Sequence, residues 1–261
     1  MGAQLLDPIP VLGIFVIFAV VTLICYEVGF RVGRWWQAKM PGEQEGPTGV
    51  LVGSLLGLMA FILAITMGMA SDRFDARRGN VLADANAIQA GYLQAGYLPD
   101  PQRGEMRELA REYLPLRIAT SDASQVQANL RSSIELQDRM WAITEEVAQT
   151  GYSADLMSSF GDSVTELVAI SEQRVVAGIY ARVPESILLL LLAGSALSLG
   201  MVGYSAGLEG GRSVLSALVM VVALGAVLVL VIDLDRPRDG FLTVSQQPLL
   251  DVQQRIGEPS P

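Results

Sequence analysis

Three carboxylates stand within seven positions in Asp233-Leu234-Asp235-Arg236-Pro237-Arg238-Asp239. Hard oxygen donors this close together suit Ca²⁺, although the EF-hand spacing and its closing Glu are missing. Arg236 and Arg238 lie among them, so a local ion-pair cluster is the competing reading of Asp233, Asp235 and Asp239. A second charged group is Ser71-Asp72-Arg73-Phe74-Asp75-Ala76-Arg77-Arg78. It follows a long apolar run, where charges can anchor a helix end at a membrane surface or act in gating. Asp72, Arg73, Phe74 and Asp75 are the candidates there, with local pairing of neighbouring opposite charges expected. Glu27 is the third candidate. It closes another apolar run, and an ionisable group at such a place is a functional candidate by default. Arg31, at i+4 on the same helical face, makes a simple ion pair the alternative.

The rest of the inventory excludes more than it offers. The chain has no histidine and one cysteine, Cys25. Histidine acid–base chemistry, a Ser-His triad, Cys-cluster metal binding and an intrachain disulfide are therefore excluded. No nucleophile elbow, HExxH or phosphate-binding loop is present, so no enzyme activity and no cofactor are expected. A net charge of −9 without basic clusters argues against nucleic acid. Seventeen of the 18 basic residues are arginine, which hints at a GC-rich bacterial genome.

The elements that must carry these groups follow from where charge is absent. Residues 8–26, 46–71, 186–208 and 213–232 carry none, so all the charged side chains crowd into the remaining 173 residues. A mean hydropathy of +0.40 is thus an average of a membrane protein and a water-soluble one. A membrane-crossing helix needs about 20 apolar residues. Residues 9–30, 50–70, 187–208 and 214–232 each qualify. The first lacks the basic leader and cleavage site of a signal peptide, and Trp35 and Trp36 follow it as interfacial anchors. Four crossings place both termini and the middle segment on one side. Arg73, Arg77, Arg78, Arg174, Arg182, Arg236 and Arg238 flank the membrane there, against Arg31, Arg34, Lys39 and Arg212 opposite. That bias puts termini and middle domain in the cytoplasm.

The expected architecture is an all-α membrane protein with four transmembrane helices and a helical cytosolic domain inserted between the second and third. Residues 1–71 hold the first two crossings, 72–183 the cytosolic domain, 184–234 the last two, and 235–261 a cytosolic tail ending in a disordered Pro259-Ser260-Pro261. The middle domain reads as four helices. Val81, Ala85, Ile88, Tyr92 and Ala95 form a seam continuing from the second span. Pro99 to Pro101 breaks it, with Asp100 as the next N-cap, and Pro115 is expected to kink or end the second helix. Leu136, Met140, Ile143 and Val147 mark the third. The fourth starts after a Ser153 cap and carries Leu156, Phe160, Val164 and Leu167. With 17 acidic and 11 basic residues over 72–185, the domain is acidic enough to concentrate cations near a pore mouth.

The second span has the most information. Gly53, Gly57, Ala60, Ala64 and Gly68 share one small-residue face, which suits close helix packing. Gly57, Phe61 and Ile65 at i, i+4 and i+8 share a stripe. Repeated around an axis, that stripe would form an apolar constriction able to gate ions by dewetting.

The segments GSLLGLMAFILAITMGMASDRFDARR and IDLDRPRDGFLTVSQQPL resemble the bacterial bestrophin-like membrane domain family over nearly the whole chain. More distantly, the second span with its following aromatic and arginine residues is similar to that of bestrophin ion channels. The resemblance implies a homo-oligomer, a pentamer, in a bacterial inner membrane, conducting inorganic ions passively through a pore lined by the second span. It puts the apolar neck at Gly57, Phe61 and Ile65. Bestrophins have a bulky apolar residue where this chain has Gly57, and the acidic calcium clasp of the animal channels is missing. The alternative is a membrane-anchored helical interaction or signalling protein without conductance.

Overall fold

The computed structural model describes residues 9–40, 46–120, 122–180, 182–212, 214–236 and 240–257. Pro41 to Gln44, Asp239 and the Pro259–Pro261 tail lie outside them. The described residues contain eight α-helices and no strand: α1 Val11–Lys39, α2 Gly46–Gln94, α3 Gln102–Arg117, α4 Ala123–Gln149, α5 Ala154–Val175, α6 Glu185–Glu209, α7 Val214–Asp235 and α8 Gln247–Gly257. Four of these, α1, α2, α6 and α7, are long and apolar enough to cross a membrane. The chain forms two compact units, residues 1–74 with 182–242, and residues 75–181 with 243–261.

The first unit holds α1, the start of α2, α6 and α7. In lipid, helices gain nothing from hiding apolar surface from water, so close backbone packing must hold them together. Here α1 and α6 supply it. Gly29 and Gly33 on α1 meet Gly200, Gly203 and Gly207 on α6 with no side chain between. A Cβ on Gly29 would overlap the Gly200 carbonyl oxygen, one on Gly203 the Tyr26 carbonyl oxygen, and one on Gly207 the Phe30 carbonyl oxygen. On α7, Gly225 opens a slot for the Phe15 and Phe18 rings, whose atoms would stand 2.8 and 3.1 Å from a Cβ there. The buried hydroxyls of Thr22 and Thr66 donate back to the carbonyls of Phe18 and Ile62, at 2.7 and 2.8 Å, so neither adds an unsatisfied polar group to an apolar core. Gly210, at φ 71°, ends α6 in the left-handed conformation that frees the chain to turn back into α7.

The second unit is a helical bundle of the far end of α2 with α3, α4, α5 and α8. Ile88, Leu98, Tyr113, Leu114, Phe160 and Leu249 are fully buried in its core. The seam Val81, Ala85, Ile88 and Tyr92 faces inward as its spacing predicts. Several local expectations are corrected. Pro115 does not end α3: the helix runs two residues further to Arg117, because a proline in the last turn disturbs only one interior hydrogen bond. Asp100 does not cap α3. Pro101 occupies the N-cap position without a side-chain bond, after a cis Asp100–Pro101 peptide. Ser153 holds the N-cap place of α5 but makes no capping hydrogen bond. The capping carboxylate is Asp122 on α4, accepting from the Ser124 N–H at 2.8 Å and its hydroxyl at 2.7 Å. Those bonds hold its pKa below the ordinary carboxylate value.

Residues 247–257, read from sequence as plain tail, form α8. Its Leu249, Val252 and Ile256 sit at i, i+3 and i+7 and are buried in the bundle core. Arg111 donates to the Ile256 carbonyl at 2.9 Å and to the Tyr92 hydroxyl at 2.8 Å, fastening the end of α8.

Candidate functional site

α2 is one uninterrupted helix of 49 residues, roughly 74 Å at 1.5 Å per residue. Nothing after Pro47 breaks its ladder. In its membrane-length part, Met59, Leu63, Thr66 and Ala70 turn inward and are buried. The opposite face is open. A Cβ added at Gly53, Gly57 or Gly68 would meet no atom within 4 Å. Phe61 and Ile65 are 63% and 50% exposed on that same face. Among the described residues nothing covers the small-residue stripe of α2, while Gly29 and Gly33 on α1 and Gly200, Gly203 and Gly207 on α6 are consumed in packing.

The exposed faces also differ in composition. α1 shows Leu12, Val16, Ile17, Val20, Val21, Ile24 and Val28 to its surroundings, all large and suited to lipid tails. The open face of α2 shows Gly53, Ser54, Gly57, Ala60, Ala64 and Gly68 interspersed with the large residues Val50, Leu51, Leu58, Phe61 and Ile65. Small side chains are a poor lipid coat but admit a close neighbour or a lumen.

The four candidates at the end of this stretch separate. Asp72 and Asp75 are exposed, and neither forms a hydrogen bond or ion pair among the described residues. Arg73 is instead drawn to Asp235, 3.6 Å away and buried. Phe74 packs against the apolar core of the first unit. The expected pairing of Arg73 with its neighbour Asp72 is thus replaced by a pairing across 162 positions of sequence. Burial beside Asp235 outweighs an exposed local contact, since a water-screened pair contributes little.

The described carboxylates of the acidic group, Asp233 and Asp235, stand in the last turn of α7, and both are engaged. Asp233 accepts from the N–H groups of Phe241 and Leu242 at 2.8 and 3.0 Å. Asp235 accepts from the Val183 N–H at 2.8 Å and also pairs with Arg182 at 3.9 Å. Arg236 reaches the Ile9 carbonyl at 2.6 Å. These carboxylates hold the chain entering α6 and leaving α7. Among the described residues no three acidic, His or Cys groups converge as metal ligands, and Asp239 falls outside them.

Glu27 pairs with Arg31 at 2.9 Å, as the i+4 spacing predicts, and also with Arg212 from the α6–α7 turn. The guanidinium of Arg212 lies 5.4 Å over the Phe30 ring. α1 runs on past Glu27 to Lys39, so Glu27 ties the middle of α1, not its end, to the α6–α7 turn.

Sequence reasoning missed a buried charge centre in the second unit. Asp84 is fully buried and accepts from Arg117 at 2.9 Å and Arg174 at 2.6 Å through Oδ2. Arg174 also donates to Gln246 at 2.9 Å. Residues from α3 and α5 thus meet at one carboxylate of α2, and Gln246, from the segment before α8, holds Arg174 from behind. Desolvation pushes the Arg174 pKa down, and the Asp84 charge opposes that. The signal was Asp84 lying on the Val81–Ile88 seam, where a carboxylate requires buried cations.

Beside this centre, Tyr113 is fully buried, accepts from Gln137 at 2.8 Å and lies beneath Arg117. Burial raises its pKa above 10.0, against the opposing pull of Arg117. An acid whose folded pKa is raised contributes stability that is full below pH 10 and lost as pH rises through the folded value. Tyr113→Phe should cost about 1–2 kcal/mol near neutrality, through the unpaired Gln137. It should also flatten the loss of stability above pH 10. Denaturant midpoints across alkaline pH measure both.

No curated protein sequence matches the chain. Solved structures do. A crystal structure of a bacterial bestrophin homologue from Klebsiella pneumoniae aligns at TM-score 0.62 and 13% identity, over 92% of this chain and 97% of that one. Two point variants of the same homologue each align at TM-score 0.66 over 94% of this chain. They cover 97% and 95% of their own chains, at 12% and 14% identity. Identities this low speak for the fold alone. The bestrophin-like domain family itself matches residues 15–249, which takes in α2 to α7 and all but the first turn of α1, and the chain therefore belongs to the bestrophin-like family.

Proposed function

We propose that this protein is an oligomeric ion channel. In this reading α1, α2, α6 and α7 cross a bacterial inner membrane, and residues 72–183 and both termini lie in the cytoplasm. Copies of the chain, five by resemblance, gather with the open face of α2 around a common axis. Gly57, Phe61 and Ile65 line an apolar neck that ions pass passively, opening when it wets.

The observation that carries this reading is the uncovered, small-residue face of α2. A helix merely tethering a domain would present large apolar groups to lipid, as α1 does. α2 exposes such groups as well, Val50, Leu51 and Leu58 among them, but sets between them glycines with open space before them. Gly57 makes the neck wider at its level than Phe61 does one turn on, so Phe61 is the narrowest candidate. Phe61→Ala is expected to raise unitary conductance roughly twofold or more by removing a dewetting ring.

Reconstitution of the purified protein into planar bilayers tests the function. Single-channel current is expected. A protein confirmed as oligomeric that passes no current would contradict the proposal. A monomeric native mass in detergent would favour a membrane-anchored interaction protein instead.

A further inference from the structure

We propose that the turn following α7 is a foot set in the lipid: Phe241 enters the headgroup boundary of the bilayer, and Asp233 holds it there. The proposal rests on α7 crossing a membrane and not on conduction, so it stands or falls apart from the channel reading.

The outward face of α7 is a stripe of large apolar groups, the exposed Leu215, Val219, Val222 and Leu230. At about 100° per residue they span about 80° around the helix. Asp233 lies within about 20° of the middle of that stripe and about 4.5 Å beyond Leu230 along the axis. Asp235 falls about 180° away, on the side where it meets Arg73 and the Val183 N–H. Residues 213–232 carry no charge, so Asp233 is the first charge on the face turned to lipid, where an uncovered carboxylate is costly. Yet Asp233 is only 2% exposed.

Its cover is the returning chain. A Cβ at Gly240 would stand 2.6 Å from Asp233 Oδ1 and 3.1 Å from its Cγ, so the backbone passes this close only as glycine. The next two N–H groups, of Phe241 and Leu242, then donate into the carboxylate at 2.8 and 3.0 Å. The acid is satisfied by main chain, and the main chain that satisfies it lies on the lipid side of α7.

The same bonds fix the depth of what that chain presents. Phe241 starts at the level of the last turn of α7, beside the apolar stripe and just past its end, and its side chain is 79% exposed. Leu242 beside it is also exposed. The stripe of α7 is thus carried on by Phe241 beyond the point where the helix itself becomes charged. An apolar ring at this height matches the boundary between headgroups and acyl chains, where aromatic side chains anchor membrane proteins. One turn therefore does two things: it screens a carboxylate from lipid and plants an aromatic anchor beside it. The partner is the phospholipid of the leaflet at the C-terminal end of α7.

Spin labelling in lipid nanodiscs tests this. With Cys25→Ala, the variant Phe241→Cys carries the only thiol. A nitroxide attached there is expected about 5–10 Å inside the boundary, open to oxygen and shielded from a water-soluble nickel chelate. A label on Val222→Cys, in the middle of the stripe, is the lipid-facing reference. Adding Asp233→Ala should release the foot, so that the label at 241 loses its depth and gains access to nickel. Phe241→Trp gives a second reading without a label: brominated phospholipids should quench this variant more than the wild type with its three tryptophans. A label at 241 fully open to nickel would overturn the proposal. So would a label reached by neither reagent, which places it against protein, a second copy of the chain included. Depth unchanged by Asp233→Ala would overturn the part given to Asp233. None of these readouts involves current, so a protein that conducts nothing leaves the proposal standing.

Discussion

Gly203→Val should leave the protein unable to form a stable, monodisperse particle in detergent. A Cβ at this position would fall on the Tyr26 carbonyl oxygen, with the Tyr26 carbonyl carbon 2.8 Å away. Neither is the movable end of a side chain. To fit a valine, α6 must lift off α1, and Gly200 and Gly207 on the same helix then lose their contacts too. Overpacking a well-packed site costs typically 1–3 kcal/mol. Here the obstacle is backbone and the displacement spreads along the whole crossing, so on the order of 3 kcal/mol or more is expected. That is a large share of the 5–15 kcal/mol typical of a folded domain. Gly57→Val is the matched control. Open space faces that glycine within its own chain, so the same substitution should leave the protomer's fold unharmed. Melting temperature and elution profile of the two variants, side by side, measure the contrast.

Asp84→Ala is expected to produce the largest loss in the second unit. The carboxylate is fully buried between Arg117 and Arg174, whose side chains are 5% and 16% exposed. Removing it strands two guanidinium groups without their counter-charge. Breaking a buried ion pair in this way costs about 3–5 kcal/mol. The sign of the pair's own contribution is a separate matter, because both charges were desolvated to form it. Replacing Asp84, Arg117 and Arg174 together by Leu, Met and Met should therefore recover much of the loss suffered by Asp84→Ala alone. Chemical denaturation of the single and triple variants distinguishes the two costs. A triple variant less stable than the single one would show that the charges stabilise the bundle outright.

The membrane-length helices were readable because a charge-free run has one economical explanation: no soluble helix of that length lacks charged residues on every side. The Glu27–Arg31 pair was readable because it is local, four residues apart on one helix. The centre at Asp84 was not, although Asp84 sits visibly on an apolar seam. Its partners come from positions 117, 174 and 246, and no spacing rule connects these. The glycine seam shows a subtler failure. Gly29 and Gly33 repeat at four, as do Gly203 and Gly207, just as Gly53 and Gly57 do. A stripe tells that a close approach is possible, not which surface makes it. On α1 and α6 the approach is within the chain, and on α2 it is left open. α8 was passed over because eleven residues hold only three core positions, too few to distinguish a docked helix from a solvated tail by periodicity.

The interlocking of α1 with α6 also sets the order in which the chain can mature. The ribosome delivers α1 first, and 145 residues separate its end at Lys39 from the start of α6 at Glu185. At about 5–20 residues per second, α1 waits in the bilayer for about seven to thirty seconds before its mate begins to arrive. Throughout that interval its notched glycine edge has only lipid, or the insertion machinery, to lean on. Nascent copies stalled before Glu185 should accordingly be the species most readily captured by membrane chaperones.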